Sequence, residues 1–158
     1  MNTAPVVPAD DAVIVMTRIY DAPRDLVWEA MTEPRHVAQW WGGPGFTNPV
    51  CEMDVRPGGL WRHVMRFPDG RELRMNFVFV EVDPPRQLAW RDVGHDEHKE
   101  GPPSGLITVT LEDLGQQTEW KMVARFNSIA ERDAALAMGF VRPITASNDR
   151  LVDYLRNL

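Results

Sequence analysis

Residues 60–82 read LWRHVMRFPDGRELRMNFVFVEV, and this stretch decides the fold. Before Pro68-Asp69-Gly70, Trp61, His63, Met65 and Phe67 share one parity while Leu60, Arg62, Val64 and Arg66 share the other. After it, Leu73, Met75, Phe77 and Phe79 alternate with Arg74, Asn76, Val78 and Val80. A period of two on both sides of a compact turn signal predicts two antiparallel strands. The odd-numbered residues are expected to face the core, on the second strand up to the first bulge.

The same punctuation recurs on either side. Phe46 to Val55 reads as a strand ended by Arg56-Pro57-Gly58-Gly59, and Asp83-Pro84-Pro85 closes the 71–82 strand. Gln87 to Arg91 forms another strand, and Leu106 to Leu114 and Thr118 to Phe126 make a hairpin across Gly115-Gln116-Gln117. Leu88 and Trp90 share a face, as do Ile107, Val109 and Leu111, and Trp120, Met122, Ala124 and Phe126. Between them, residues 92–104 (DVGHDEHKEGPPS) read as a solvated loop.

Upstream, AVIVMTRIY (12–20) predicts a first strand. Asp21-Ala22-Pro23 then starts a short helix with Leu26, Val27, Ala30 and Met31 at three-and-four spacing. Thr32-Glu33-Pro34 interrupts it, and a second short helix, Arg35 to Trp41, runs into Gly42-Gly43-Pro44-Gly45. Downstream, Ser128 and Glu131 match a capping box that opens a long helix. Its stripe is Ala137, Val141, Ile144, Asn148, Leu151, Leu155 and Leu158, with a kink expected near Gly139, one turn before Pro143. The fold class is therefore α+β: a curved antiparallel sheet of about seven strands around a long C-terminal helix, with two short helices after the first strand. Residues 1–11 carry two prolines and no periodicity and are expected to be a flexible terminus ahead of one domain, 12–158.

Composition narrows the function. The 158 residues carry 17 Lys+Arg against 23 Asp+Glu, a net charge of −6, which argues against nucleic acid as a partner. No run approaches the roughly 18 to 20 apolar residues of a membrane span. A single cysteine, Cys51, and a start without a charged, apolar leader make the expected location cytoplasmic. Six Trp and eight Met stand against two Tyr, a mix suited to an irregular core or to the wall of an apolar cavity.

Several segments resemble one family. Trp40-Trp41-Gly42-Gly43-Pro44-Gly45-Phe46 is similar to the WWGP-type motif of the AHSA1-like family (activator of heat-shock-protein-90 ATPase homologue), within the SRPBCC or START-like superfamily. Ala22-Pro23 with Val27-Trp28, the run Cys51 to Gly59, Met65 with Pro68-Asp69-Gly70, and Glu81 to Leu88 stand in the same order as in that family. The resemblance spans residues 13 to 158 and implies the helix-grip fold, in which seven strands grip a C-terminal helix around an apolar cavity. That fold serves lipid binders, enzymes and co-chaperones alike.

The residues expected to line such a space are Trp40, Trp41 and Phe46 at its mouth, and Trp61, His63, Met65, Met75, Phe77, Trp90, Val109, Trp120 and Met122 on the sheet. Met138 and Val141 are expected to reach it from the helix. His63 among apolar neighbours is either a ligand contact, a general base or a hydrogen-bonded core residue. His95-Asp96-Glu97-His98 offers metal-ligand residue types without a second cluster and reads as part of the acidic loop. Ser104 and Ser128 sit in no nucleophile-elbow pattern, and neither a phosphate loop nor a dinucleotide fingerprint occurs, so no catalytic residue, cofactor or metal is assigned. The expected function is binding of a hydrophobic small molecule or lipid. A cyclase- or hydrolase-type enzyme working through His63 with Asp54, Arg62 or Arg74, and a co-chaperone stimulating a heat-shock ATPase, are the alternatives. The chain is expected to be a monomer or a homodimer.

Overall fold

A computed structural model describes residues 4–93 and 105–158. Seven strands form one antiparallel sheet: β1 (Val13–Tyr20), β2 (Thr47–Met53), β3 (Leu60–Arg66), β4 (Glu72–Asp83), β5 (Gln87–Asp92), β6 (Leu106–Asp113) and β7 (Thr118–Arg125). Their spatial order is β1-β7-β6-β5-β4-β3-β2, so the chain runs as a meander from β2 to β7 and then closes against β1. Helices α1 (Arg24–Thr32) and α2 (Pro34–Trp40) follow β1, and α3 (Ile129–Ala137) and α4 (Val141–Leu155) end the chain. The α+β helix-grip architecture expected from the sequence is the one found.

Alternation sets the buried face. Trp61 and His63 on β3, and Phe77 and Phe79 on β4, are buried, with Trp61 opposite Phe77 and His63 opposite Met75. The pattern then slips. Phe79 pairs with Trp90 but Glu81 pairs with Ala89, so Val80 is an extra residue in β4 and lies exposed. This bulge reverses parity, and Val82, opposite Leu88, joins the core. A second irregularity lies in edge strand β2, where Thr47 pairs with Arg66 and Val50 with Val64, leaving Asn48 and Pro49 opposite one residue. Pro49 has no amide to give a ladder, so an edge bulge accommodates it.

The expected long helix is two. Ser128 caps α3 by accepting from the Glu131 amide at 3.1 Å, while the Glu131 carboxylate accepts from the Asn127 amide rather than from that of Ser128. At the far end the Phe140 amide bonds the Ala135 carbonyl and the Gly139 amide the Leu136 carbonyl, both at 3.1 Å, with Gly139 at φ +84°. This is a Schellman stop, which ends a helix where an expected kink would only bend it. Pro143 then falls in the first turn of α4, where an amide donor is not needed. The stripe shrinks accordingly: Asn148, Leu151 and Leu155 are buried, Val141 and Ile144 half-buried, and Ala137 and Leu158 exposed.

The segment before Ala12 is also more tied down than its composition indicates. Val6 and Val15 exchange backbone hydrogen bonds at 2.8 and 2.9 Å, Arg132 donates to the carbonyls of Pro8 and Asp11, and Arg125 pairs with Asp11.

Candidate functional site

The inner face of β3, β4 and β5 carries an aromatic network. Trp61 lies at its centre, with ring centroids 4.7 Å from Phe77, 5.7 Å from Phe79, 5.3 Å from Trp90 and 5.1 Å from Trp41. Trp41 also reaches His63 at 5.0 Å and Phe77 at 6.4 Å. Five residues expected to share a space from sequence, Trp41, Trp61, His63, Phe77 and Trp90, therefore do meet. They meet by packing against one another.

His63 is 1% exposed and both ring nitrogens are engaged. The Trp61 indole N–H donates to Nδ1 at 3.2 Å. An indole nitrogen can only donate, so Nδ1 is the acceptor and the proton sits on Nε2, which donates to Asn48 Oδ1 at 2.7 Å. Asn48 Nδ2 in turn donates to the carbonyls of Ala38 and Trp41 at 2.9 and 3.0 Å. Burial pushes the His63 pKa down to about 4, which keeps the imidazole neutral and this chain intact. The arrangement leaves no lone pair to abstract a substrate proton. His63 is a hydrogen-bonded core residue that joins β3 through Asn48 to the C-terminus of α2.

The mouth expected at residues 40–46 is strapped to α4. The Gly42 amide donates to Ser147 Oγ at 2.9 Å, and Arg150 Nη1 reaches the carbonyls of Trp41, Gly43 and Phe46 at 3.4, 3.2 and 3.0 Å. Trp40 is buried and donates its indole N–H to the Ala30 carbonyl at 2.9 Å, so it belongs to the core between α1 and α2. Trp41 is half-buried, as are Phe46, Met65, Met75 and Val141. Phe46 packs on Phe67, with centroids 5.0 Å apart. On the other half of the sheet Val109 and Met122 oppose each other, and Trp120 opposes Leu111, all buried on the inner face. Met138 is a correction: it stands in the break between α3 and α4 and is 88% exposed, because the Schellman stop turns that residue away from the sheet.

Reasoning from sequence passed over Arg18. On β1 the residues Ile14, Met16, Arg18 and Tyr20 alternate inward, and Arg18 is only 9% exposed, opposite Trp120. One guanidinium nitrogen, Nη2, meets Asp149 of α4 at 2.7 Å. Among the described residues, Arg18 Nε and Nη1 and the Tyr20 hydroxyl are buried without a hydrogen-bond partner. Burial raises the Tyr20 pKa strongly, so the phenol stays protonated.

Two grooves of about 420 and 360 Å³ lie elsewhere, one lined by Glu52–Asp54, Arg56, Gly58–Leu60 and Arg62, the other around Arg24, Glu81–Gln87 and Thr110–Asp113; neither is lined by the residues expected to bind a ligand, although Asp54 and Arg62, the expected partners of a catalytic His63, border the first, away from the buried imidazole. The His95–His98 stretch lies outside the described residues. Among those described, no group of three His, Cys, Asp or Glu is placed to hold a metal ion. Likewise, no helix is long and apolar enough to cross a membrane.

Solved structures share this architecture. A Nitrosomonas europaea protein superposes with a TM-score of 0.85 at 24% identity, covering 96% of this chain and 97% of that one. A Mycobacterium smegmatis protein gives 0.84 at 22% identity over 97% and 96%. The AHSA1 protein of Silicibacter pomeroyi gives 0.74 at 19% over 92% and 98%. At these identities the likeness is one of fold. No curated protein matches the chain. The model of the family described as Activator of Hsp90 ATPase homolog 1-like protein matches residues 21–156, nearly the whole length of the fold described above, and the chain belongs to that family.

Proposed function

We propose that this chain binds a hydrophobic small molecule between the inner face of the sheet and α4, without catalysing its conversion, in the cytoplasm. The observation that carries this reading is the change in burial along one face. Trp61, His63 and Phe77 are sealed, whereas Trp41, Met65, Met75 and Val141, which pack at the margin of that core or beside it, are half-buried and apolar. A side chain that belonged only to the core would gain about 25 cal/mol for each further Å² of apolar surface removed from water, so an apolar wall left partly open is suited to a ligand that completes the burial. Thioether and indole groups adapt to many shapes, which fits a broad rather than a finely discriminating site.

The test is native mass spectrometry of the protein purified from its own host, followed by titration with 1-decanol monitored by tryptophan fluorescence. A retained small molecule, or saturable binding weakened at least about tenfold by Met65→Glu, supports the reading. An empty protein that also fails to bind decanol overturns it. The family description favours a second reading, a co-chaperone, and stimulation of a heat-shock ATPase by the purified chain would establish that instead.

A further inference from the structure

The inner face is apolar almost throughout, and Arg18 interrupts it. Arg18 is only 9% exposed with two of its three guanidinium nitrogens unpartnered among the described residues, which is costly to maintain, since a buried donor without an acceptor forfeits the hydrogen bonds it would make to water. A second buried donor without an acceptor, the Tyr20 hydroxyl, lies two residues along the same face, and the guanidinium carbon sits 5.8 Å from the Tyr20 ring centroid. Of the four buried unpartnered side-chain atoms among the described residues, three therefore cluster here, the fourth being Arg24 Nε on α1, and what the three lack is an acceptor.

The setting also bears on the acceptor's charge. Among the described residues Asp149 is the carboxylate paired with Arg18; its side chain is 60% exposed, so it bridges Nη2 to water and leaves Nε and Nη1 without a partner. The guanidinium already faces one carboxylate, so an acceptor of the least charge, a monoanion, suits the two remaining nitrogens better than a phosphate monoester carrying about −1.5 to −2. The same turn of α4 that holds Arg18 through Asp149 holds the 41–46 loop through Ser147 and Arg150. Arg18 and the half-open apolar wall thus flank one helix, whose diameter with side chains is about 10 to 12 Å.

We infer that Arg18 and Tyr20 form the head-group subsite of an amphipathic carboxylic acid, whose carboxylate accepts from Arg18 Nε or Nη1 and from the Tyr20 hydroxyl while its apolar chain runs beneath α4 toward Trp41, Met65 and Met75. This rests on the binding reading above and assigns its ligand class. Charge-assisted bonds in a dry setting give the acid an advantage that its alcohol of equal chain length lacks.

The experiment compares decanoic acid with 1-decanol at pH 7.5, by calorimetry, on the wild type and on Arg18→Met, Arg18→Lys and Tyr20→Phe. The expected result is a wild-type preference for the acid of at least about tenfold. Arg18→Met abolishes that preference while still binding decanol, Arg18→Lys keeps part of it, and Tyr20→Phe weakens the acid several-fold. Thermal unfolding of the ligand-free variants separates a binding role from a structural one. A head-group subsite predicts that Arg18→Met keeps or raises the melting temperature, because it removes unmatched donors, whereas a structural ion pair with Asp149 predicts a fall. Equal binding of acid and alcohol by the wild type, or a preference that survives Arg18→Met, overturns the subsite and leaves the binding reading standing. Failure of both probes to bind overturns the two together.

Discussion

The side chain of Asn48 accepts the His63 Nε2 proton at 2.7 Å and so ties the C-terminus of α2 to the inner face of β3. The last carbonyls of a helix have no partner within it, and Asn48 takes two at this end, those of Ala38 and Trp41. Replacing Asn48 by Ala removes three hydrogen bonds and leaves the imidazole N–H buried and unmatched. We expect Asn48→Ala to lose about 2 to 4 kcal/mol of unfolding free energy in urea. A loss below about 0.5 kcal/mol would show that Asn48 does not hold α2 to the sheet in solution.

The depressed pKa of His63 makes stability depend on pH with a defined sign. The folded value is about 4 against 6.5 for the free side chain, so between these the unfolded chain binds more protons. The contribution of His63 is complete above pH 6.5 and is lost progressively as pH falls to 4, by a total on the order of 3 kcal/mol. Asp11, held below the usual carboxylate range by its Arg125 bond, and Asp69, held there by the Arg71 amide and side chain, titrate beneath this window. His63→Gln should flatten the slope between pH 6.5 and 4, and Asn48→Asp should move the His63 midpoint upward by placing a carboxylate beside Nε2. Wild-type and His63→Gln stability profiles that run parallel would contradict this.

The strands were legible because a half-buried antiparallel sheet writes its period into the chain, as at Trp61, His63 and Met65. What was not legible depended on tertiary geometry. The extra residue at Val80 looks like any other member of a β-branched run, and only the Trp90 and Ala89 partners reveal it. Arg18 was hidden for a related reason: β1 is apolar at Val13, Val15 and Ile19 as well as at Ile14 and Met16, so parity alone does not say which face is inside. The one charge in that strand was the available signal. The break at Gly139 was readable in position but not in kind, because a glycine before a proline is compatible with either a bend or a stop.

Two glycines should respond to alanine for different reasons. At Gly139 a Cβ would meet nothing within 4 Å, so Gly139→Ala costs only the left-handed backbone at φ +84°, about 1 to 2 kcal/mol. At Gly59 a Cβ would stand 1.9 Å from the Asp54 carbonyl oxygen, and the bonds of Gly58 and Gly59 with Phe79, at 2.7 and 2.9 Å, would have to shift. Gly59→Ala is therefore expected to cost about 3 kcal/mol or more. Equal melting-temperature shifts for the two variants would refute the assignment of strain to one and steric overlap to the other.

Arg150 is the strap whose removal should be seen locally before it is seen globally. One nitrogen serves three carbonyls at 3.0 to 3.4 Å, and its charge lies at the negative end of α2. Methionine keeps the aliphatic length and loses all of this. Arg150→Met should lower global stability by about 1 to 3 kcal/mol. It should also raise amide exchange at Gly42 by at least about tenfold, since that amide relies on Ser147 holding the same loop to α4. Exchange at Ile14 and Val109, deep in the β1–β7–β6 ladder, should rise only as far as the global loss requires. If Gly42 were no more affected than those strand amides, the loop would be held by its own packing on Met65 and Phe67 rather than by α4, and the half-open wall beneath it would not depend on the helix at all.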